Sequence, residues 1–153
     1  MLHMNLFEWL RKWGRKQPAE APKLDTAEQH FMGLDVQAVI NAHLAWRKRL
    51  EDRILGLSNE ELDISVIMQD NQCQLGQWLY GKAAHSTLAL HPEFAALRET
   101  HRTFHLYAAR VLQTLRMRGV EAAQTMLETE FDRLSKDIVF NLAALMHKER
   151  TLH

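Results

Sequence analysis

Several things are scarce in this 153-residue chain. There is one cysteine, Cys73. An intramolecular disulfide is excluded, and the cysteine count carries no hint of secretion. Glycine and proline number only 6 and 3, which favours long uninterrupted helices over a many-stranded sheet. No apolar run approaches the roughly 18–20 residues that span a bilayer. The N-terminus lacks the apolar h-region of a signal peptide. Net charge is missing too, since 19 basic and 19 acidic residues cancel, whereas a nucleic-acid binder usually shows a basic excess. These absences leave a cytoplasmic protein without a nucleic-acid partner as the expectation. The apolar and charged shares, 46% and 25%, are those of an ordinary globular chain, and the length suits one core. What stands out is histidine, at nine residues.

Residues 1–16 place Leu2, Leu6, Trp9, Leu10 and Trp13 at helical spacing, with Arg11, Lys12, Arg15 and Lys16 on the other side. Up to Lys23 there are five basic and two acidic residues, so this segment is +3 and the remainder −3. Such an amphipathic helix packs on its own domain or a second subunit, or lies on an anionic membrane, which is the less favoured reading. Residues 17–33 read as a linker, with Pro18 and Pro22 in its first part.

From residue 34 to 150 the spacing predicts an antiparallel four-helix-type bundle, all-α, with a short helix carrying the cysteine. The first long helix runs from about Asp35, a plausible N-cap, to Leu57. Its stripe is Val36, Val39, Ile40, His43, Trp46, Leu50, Ile54 and Leu57. Ser58-Asn59-Glu60-Glu61 matches a capping box and predicts a short helical piece. Asp63 to Met68 is rich in β-branched residues, and periodicity alone does not exclude a strand there. Cys73 to Gly81 reads as a short helix ended by a glycine cap. A second long helix opens at Pro92 and ends at Gly119. Its stripe is Phe94, Leu97, His101, Phe104, Ala108, Val111 and Leu115. A last helix, about Glu121 to Glu149, buries Leu127, Phe131, Leu134, Ile138, Leu142 and Leu145.

His101 and His105 are four residues apart, so both rings leave nearly the same face of their helix. That face is the apolar stripe. Buried imidazoles cost free energy unless they gain partners, and no acid stands beside these two in sequence. His43 lies in the stripe of the first long helix, and Cys73 would add a thiolate. Three imidazoles and one thiolate make a tetrahedral, soft donor set suited to Zn2+. A lone His-x-x-x-His pair, a lone stripe histidine and a lone cysteine are each commonly ordinary core residues. Spacing alone leaves both possibilities open.

The motifs His43-x-x-Trp46, Asp70-x-x-Cys73-x-Leu75-Gly76-x-Trp78-Leu79 and His91-Pro92-x-Phe94-x-x-Leu97-x-x-x-His101-x-x-x-His105 resemble the chemoreceptor zinc-binding (CZB) domain family over about residues 34–148. The resemblance implies that His43, Cys73, His101 and His105 are the zinc ligands and that the bundle is often homodimeric. It also implies a sensory module that responds to zinc or to cysteine oxidation by hypochlorous acid. The partner would be a separate signalling protein, a chemoreceptor or a diguanylate cyclase. The chain's own methionine start and N-terminal helix favour a stand-alone module. A zinc-buffering or structural zinc protein is the alternative. Catalysis is disfavoured: four protein ligands close the zinc shell, no His-Glu-x-x-His motif is present, and the helix faces read as core show no carboxylates for a di-iron site.

Supporting roles divide evenly. Trp46 and Trp78 wall the site or are plain core aromatics. Gly76 permits a close approach or a tight bend. Asp70 fixes a ligand tautomer or caps the short helix. His3, His30, His85, His91, His147 and His153 read as solvated or capping.

Overall fold

The computed structural model describes residues 4–13, 18 and 20–152. Leu2, His3, Arg15, Lys16, Gln17 and His153, about which the sequence raised expectations, lie outside the described residues. Helix dominates, as the glycine and proline counts require. In chain order the elements are α1 Leu6–Arg11, α2 Thr26–Gln29, β1 His30–Phe31, β2 Leu34–Asp35, α3 Val36–Ile54, α4 Ile64–Ile67, α5 Gln74–Tyr80, a 3-10 turn Thr87–Leu90, α6 Pro92–Arg118, α7 Val120–Met126, a π-helical turn Leu127–Phe131, and α8 Asp132–Thr151. None of the described helices is long and apolar enough to cross a membrane.

The long helices begin and end where local chemistry dictates. Asp35 caps α3 through its side chain, which accepts from the Ala38 N–H at 3.0 Å. Pro92 opens α6 with its fixed φ. Gly119 ends it at φ +93°, a conformation L side chains rarely adopt. The chain then turns back, and α8 packs along α6 as its principal neighbour. His91 against Glu149, Thr100 against Asn141 and Phe104 against Phe131 fix this pair as antiparallel. The core is the shared interior of α3, α6 and α8, with Leu50, Leu97, Val111, Leu127, Phe131, Ile138 and Leu142 almost wholly removed from water.

The N-terminal residues join this core. Leu6, Trp9, Leu10 and Trp13 are buried, and α1 packs on α8. Met4 bridges Leu24 in a parallel pair, while the Gln37 side chain binds the Pro22 carbonyl and the Leu24 N–H. Further on, α2 and the β1–β2 hairpin bring the chain to α3.

Four local expectations change. The capping box does not start a helix. Ser58 Oγ accepts from Glu60 N–H two residues on, and Asp63 caps the next helical turn instead. The stretch after Asp63 is helical, not a strand, at Ile64–Ile67. The stripe of α3 passes through Arg47 (5% exposed), leaving Trp46 half-buried and Leu57 exposed at 74%. Core faces do carry carboxylates. Asp132 is 2% exposed and accepts from Arg47 Nε at 3.0 Å, with Glu51 on the same guanidinium. A buried charge persists when it is paired and hydrogen-bonded, and such a pair leaves no trace in an apolar pattern.

Candidate metal centre

Two elements bring the donors together. On α6, His101 and His105 share the inward face, 0% and 8% exposed. Opposite them, Cys73 sits at the N-cap of α5 with extended backbone, φ −78° and ψ 166°. Its Sγ accepts from Gly76 N–H at 3.3 Å. The approach is possible because residue 76 is glycine. A Cβ there would stand 1.8 Å from the Asp70 carbonyl oxygen.

Cys73 Sγ lies 3.2 Å from His101 Nε2 and 3.6 Å from His105 Nε2, and the two Nε2 atoms are 3.1 Å apart. The three ligand atoms all fall within 4.8 Å of one another. His43 stands outside that cluster. It lines the same cavity of about 40 Å³, together with Trp46, Phe104 and the three clustered residues. Its ring meets Phe104 edge-on at 4.8 Å. The structure thus gathers Cys73, His101 and His105 directly and sets His43 at their cavity wall.

Protonation follows from burial. His43 is pushed down to about 4 by loss of water and, secondarily, by His105. His101 is lowered further, chiefly by burial, then by His105 and His43. Burial also lowers His105, against the opposing bond to Ile67. At neutral pH all three are neutral imidazoles, the form that binds metal. A carbonyl only accepts, so His105 Nδ1, 2.8 Å from the Ile67 oxygen, must carry the proton. That fixes the tautomer and leaves the Nε2 lone pair facing Cys73. Burial pushes the Cys73 thiol up, so it holds its proton unless a cation displaces it.

Two buried nitrogens, His43 Nδ1 and His101 Nδ1, have no hydrogen-bond partner among the described residues. Each such atom costs about 1–3 kcal/mol. Three converging soft donors, a fixed tautomer and orphaned imidazole nitrogens fit a metal ion better than a satisfied polar core. The donor set of sulfur and nitrogen matches the preference of Zn2+.

An open cleft of about 350 Å³ reaches Cys73 and His105 from the solvent side, between Trp46, Arg49 and Gln72. Arg49 stacks over the Trp46 ring at 4.0 Å and pairs with Glu60. A larger cleft of about 910 Å³ lies elsewhere, lined among others by Arg53, Glu61, Asp63 and Arg116, and among the described residues it brings no cluster of metal ligands together.

The structure decides among the alternatives that the sequence left open for the supporting residues. Trp46 does line the site, whereas Trp78 turns away. Its Nε1–H donates to the Met32 carbonyl at 3.0 Å and its ring packs on Phe31. The Asp70 carboxylate binds Tyr80 Oη at 2.5 Å, not a histidine. His30, His85 and His147 are exposed. His91 is half-buried, with Nε2 2.9 Å from Glu149 Oε2, a partner 58 residues away that local spacing could not reveal.

Residues 43–112 match the family model described as the chemoreceptor zinc-binding domain. This agrees with the resemblance carried by the His43, Cys73 and His101/His105 motifs. No curated protein and no solved structure matches the chain.

Proposed function

From the match of residues 43–112 to the chemoreceptor zinc-binding domain model, we propose that this protein is a zinc-dependent sensory or regulatory module whose ligands are His43, Cys73, His101 and His105. The convergence of Cys73 Sγ with two histidine Nε2 atoms in a buried pocket is the observation that carries this reading. His43 joins the set through its place on the cavity wall and its unpartnered Nδ1. Bound zinc would supply the charge that holds Cys73 as a thiolate. The protein's own part is to keep the imidazoles neutral, orient them, and exclude bulk water.

The signal is zinc availability or oxidation of Cys73 by hypochlorous acid. Conversion of the thiolate to a sulfenic acid removes one donor, and the cleft beside Gln72 gives a small oxidant access to it. Loss of that donor frees α5 from α6, and the change in packing is passed to a signalling partner, a chemoreceptor or a diguanylate cyclase. A homodimer is the working assembly.

Metal content of the purified protein tests this. About one zinc per chain is expected for four protein ligands. Cys73→Ala should lower zinc retention on dialysis, His43→Ala should do so as well, and hypochlorite should release the metal from the unsubstituted chain. Zinc retained in full by Cys73→Ala would remove Cys73 from the ligand set. No zinc in the unsubstituted protein would overturn the whole reading.

A further inference from the structure

Two cavities meet at one ring. Trp46, Cys73 and His105 line both the metal cavity of about 40 Å³ and the outer cleft of about 350 Å³. The half-buried indole of Trp46 therefore stands in the wall between the metal centre and solvent. Arg49 lines only the outer cleft. It follows Trp46 by three residues, on the same face of α3, and its guanidinium lies 4.0 Å from the centre of the indole ring.

Arg49 is itself held. Its Nε donates to the two Glu60 carboxylate oxygens at 3.1 and 3.2 Å, and its Nη2 donates to Oε1. The same contact lowers the Glu60 carboxyl from its ordinary value. Glu60 is anchored in turn, because its N–H donates to Ser58 Oγ. Farther along, the Ile67 carbonyl accepts from His105 Nδ1. The segment that walls the outer cleft is thus tied at one end to Arg49 and at the other to a histidine of the site. Indole, guanidinium and carboxylate form one chain of contacts, and only the indole borders the metal cavity.

Neither Trp46 nor Arg49 offers a metal a donor atom, so their part is to cover and to hold. The hold is light. Arg49 and Glu60 are each 40% exposed, and an ion pair so placed is weak and screened by salt. A cation over an exposed ring adds a modest attraction. A bracket of this strength opens and closes readily.

We propose that Arg49 is a positioning residue for Trp46, and that the Glu60–Arg49–Trp46 bracket is a gate. It sets how fast small reagents reach Cys73 and how fast a bound metal ion leaves. The metal half of this inference rests on the reading of Cys73 and His105 as zinc ligands. The access half rests on the cleft and the bracket alone. Because the bracket does not touch the ion, opening it speeds entry and exit together and leaves the affinity where it was.

Two probes test this on the full chain. Cys73 is the sole cysteine, so alkylation of the metal-free protein by iodoacetamide, followed by mass spectrometry, reports on that residue alone. Arg49→Ala should speed it about three- to tenfold, the effect of losing one cation–π contact and the ion pair that pins it. A merely electrostatic role gives the opposite sign, since removing a cation disfavours the reactive thiolate. Arg49→Lys, which keeps the charge but not the planar fork, should fall between the two. Iodoacetamide is neutral, so salt does not steer its approach. Raising the salt concentration should speed alkylation of the unsubstituted chain and leave Arg49→Ala unmoved. In the zinc-loaded protein, Arg49→Ala should release zinc faster into excess chelator, with its equilibrium affinity unchanged. Unchanged or slower alkylation in Arg49→Ala overturns the inference. Faster zinc release matched by an equal loss of affinity also overturns it, because Arg49 would then shape the site rather than gate it. If the unsubstituted chain takes up no zinc, the ligand reading falls, and the alkylation rates decide the gate by themselves.

Discussion

At the scale of single residues, the position of Cys73 depends on an atom that is absent. The Asp70–Asn71 backbone passes directly over Gly76, where a side chain would collide with the Asp70 carbonyl oxygen at 1.8 Å. Backbone on one side and a helix on the other leave nothing flexible to give way. Gly76→Ala should therefore cost about 1–3 kcal/mol, the usual range for overpacking, read as a lower urea midpoint. It should also weaken zinc binding, because relief comes most easily by moving the turn that carries Cys73. An unchanged midpoint would mean that the turn is far more compliant than its packing implies. The legibility of the site divides along the same line. His101 and His105 could be paired from spacing because one helix carries both. Cys73 and His43 are 28 residues or more from any partner that matters, and only the family motif linked them.

At the scale of elements, α3 is tied to α8 through charge. Arg47 sits one turn beyond His43 and reaches Asp132, the first residue after the π-helical turn, while Glu51 takes another of its nitrogens. The periodicity of α3 was readable over nearly its whole length, but the stripe slid to Trp46 because position 47 holds an arginine. The π turn was equally hidden: Leu127, Phe131 and Leu134 are buried as the spacing expects, and one extra residue per turn does not disturb so short a pattern. The bends and caps between helices were less legible still. Ser58 had the right neighbours for a capping box, yet its hydroxyl was taken by a closer amide. Removing one member of a buried ion pair leaves the other desolvated, at a cost of about 3–5 kcal/mol. Arg47→Ala should fall in that range by urea denaturation. In a double-mutant cycle with Asp132→Ala the two losses should be clearly less than additive. Additive losses would show that Asp132 draws its stabilisation from elsewhere in the core.

At the scale of the whole molecule, the three buried histidines make the metal-free fold sensitive to acid in a calculable direction. Each is held neutral by burial, so each binds a proton more readily in the unfolded chain than in the folded one. For a group whose folded value is depressed, the stabilisation is complete above the unfolded value and fades as pH falls toward the folded one. For His43 that window runs from 6.5 down to about 4, a difference worth about 3 kcal/mol at most. The metal-free protein should thus hold a constant urea midpoint at neutral pH and lose stability steadily below about pH 6.5. His43→Phe, which keeps an aromatic ring against Phe104 without a titrating group, should flatten part of that slope. Zinc acts on the same protons: its binding to neutral imidazoles and a thiolate weakens as pH falls, so the gain in midpoint from added zinc should shrink over the same range. A metal-free midpoint that rises on acidification would reverse the sign and show that the histidines are charged in the folded protein.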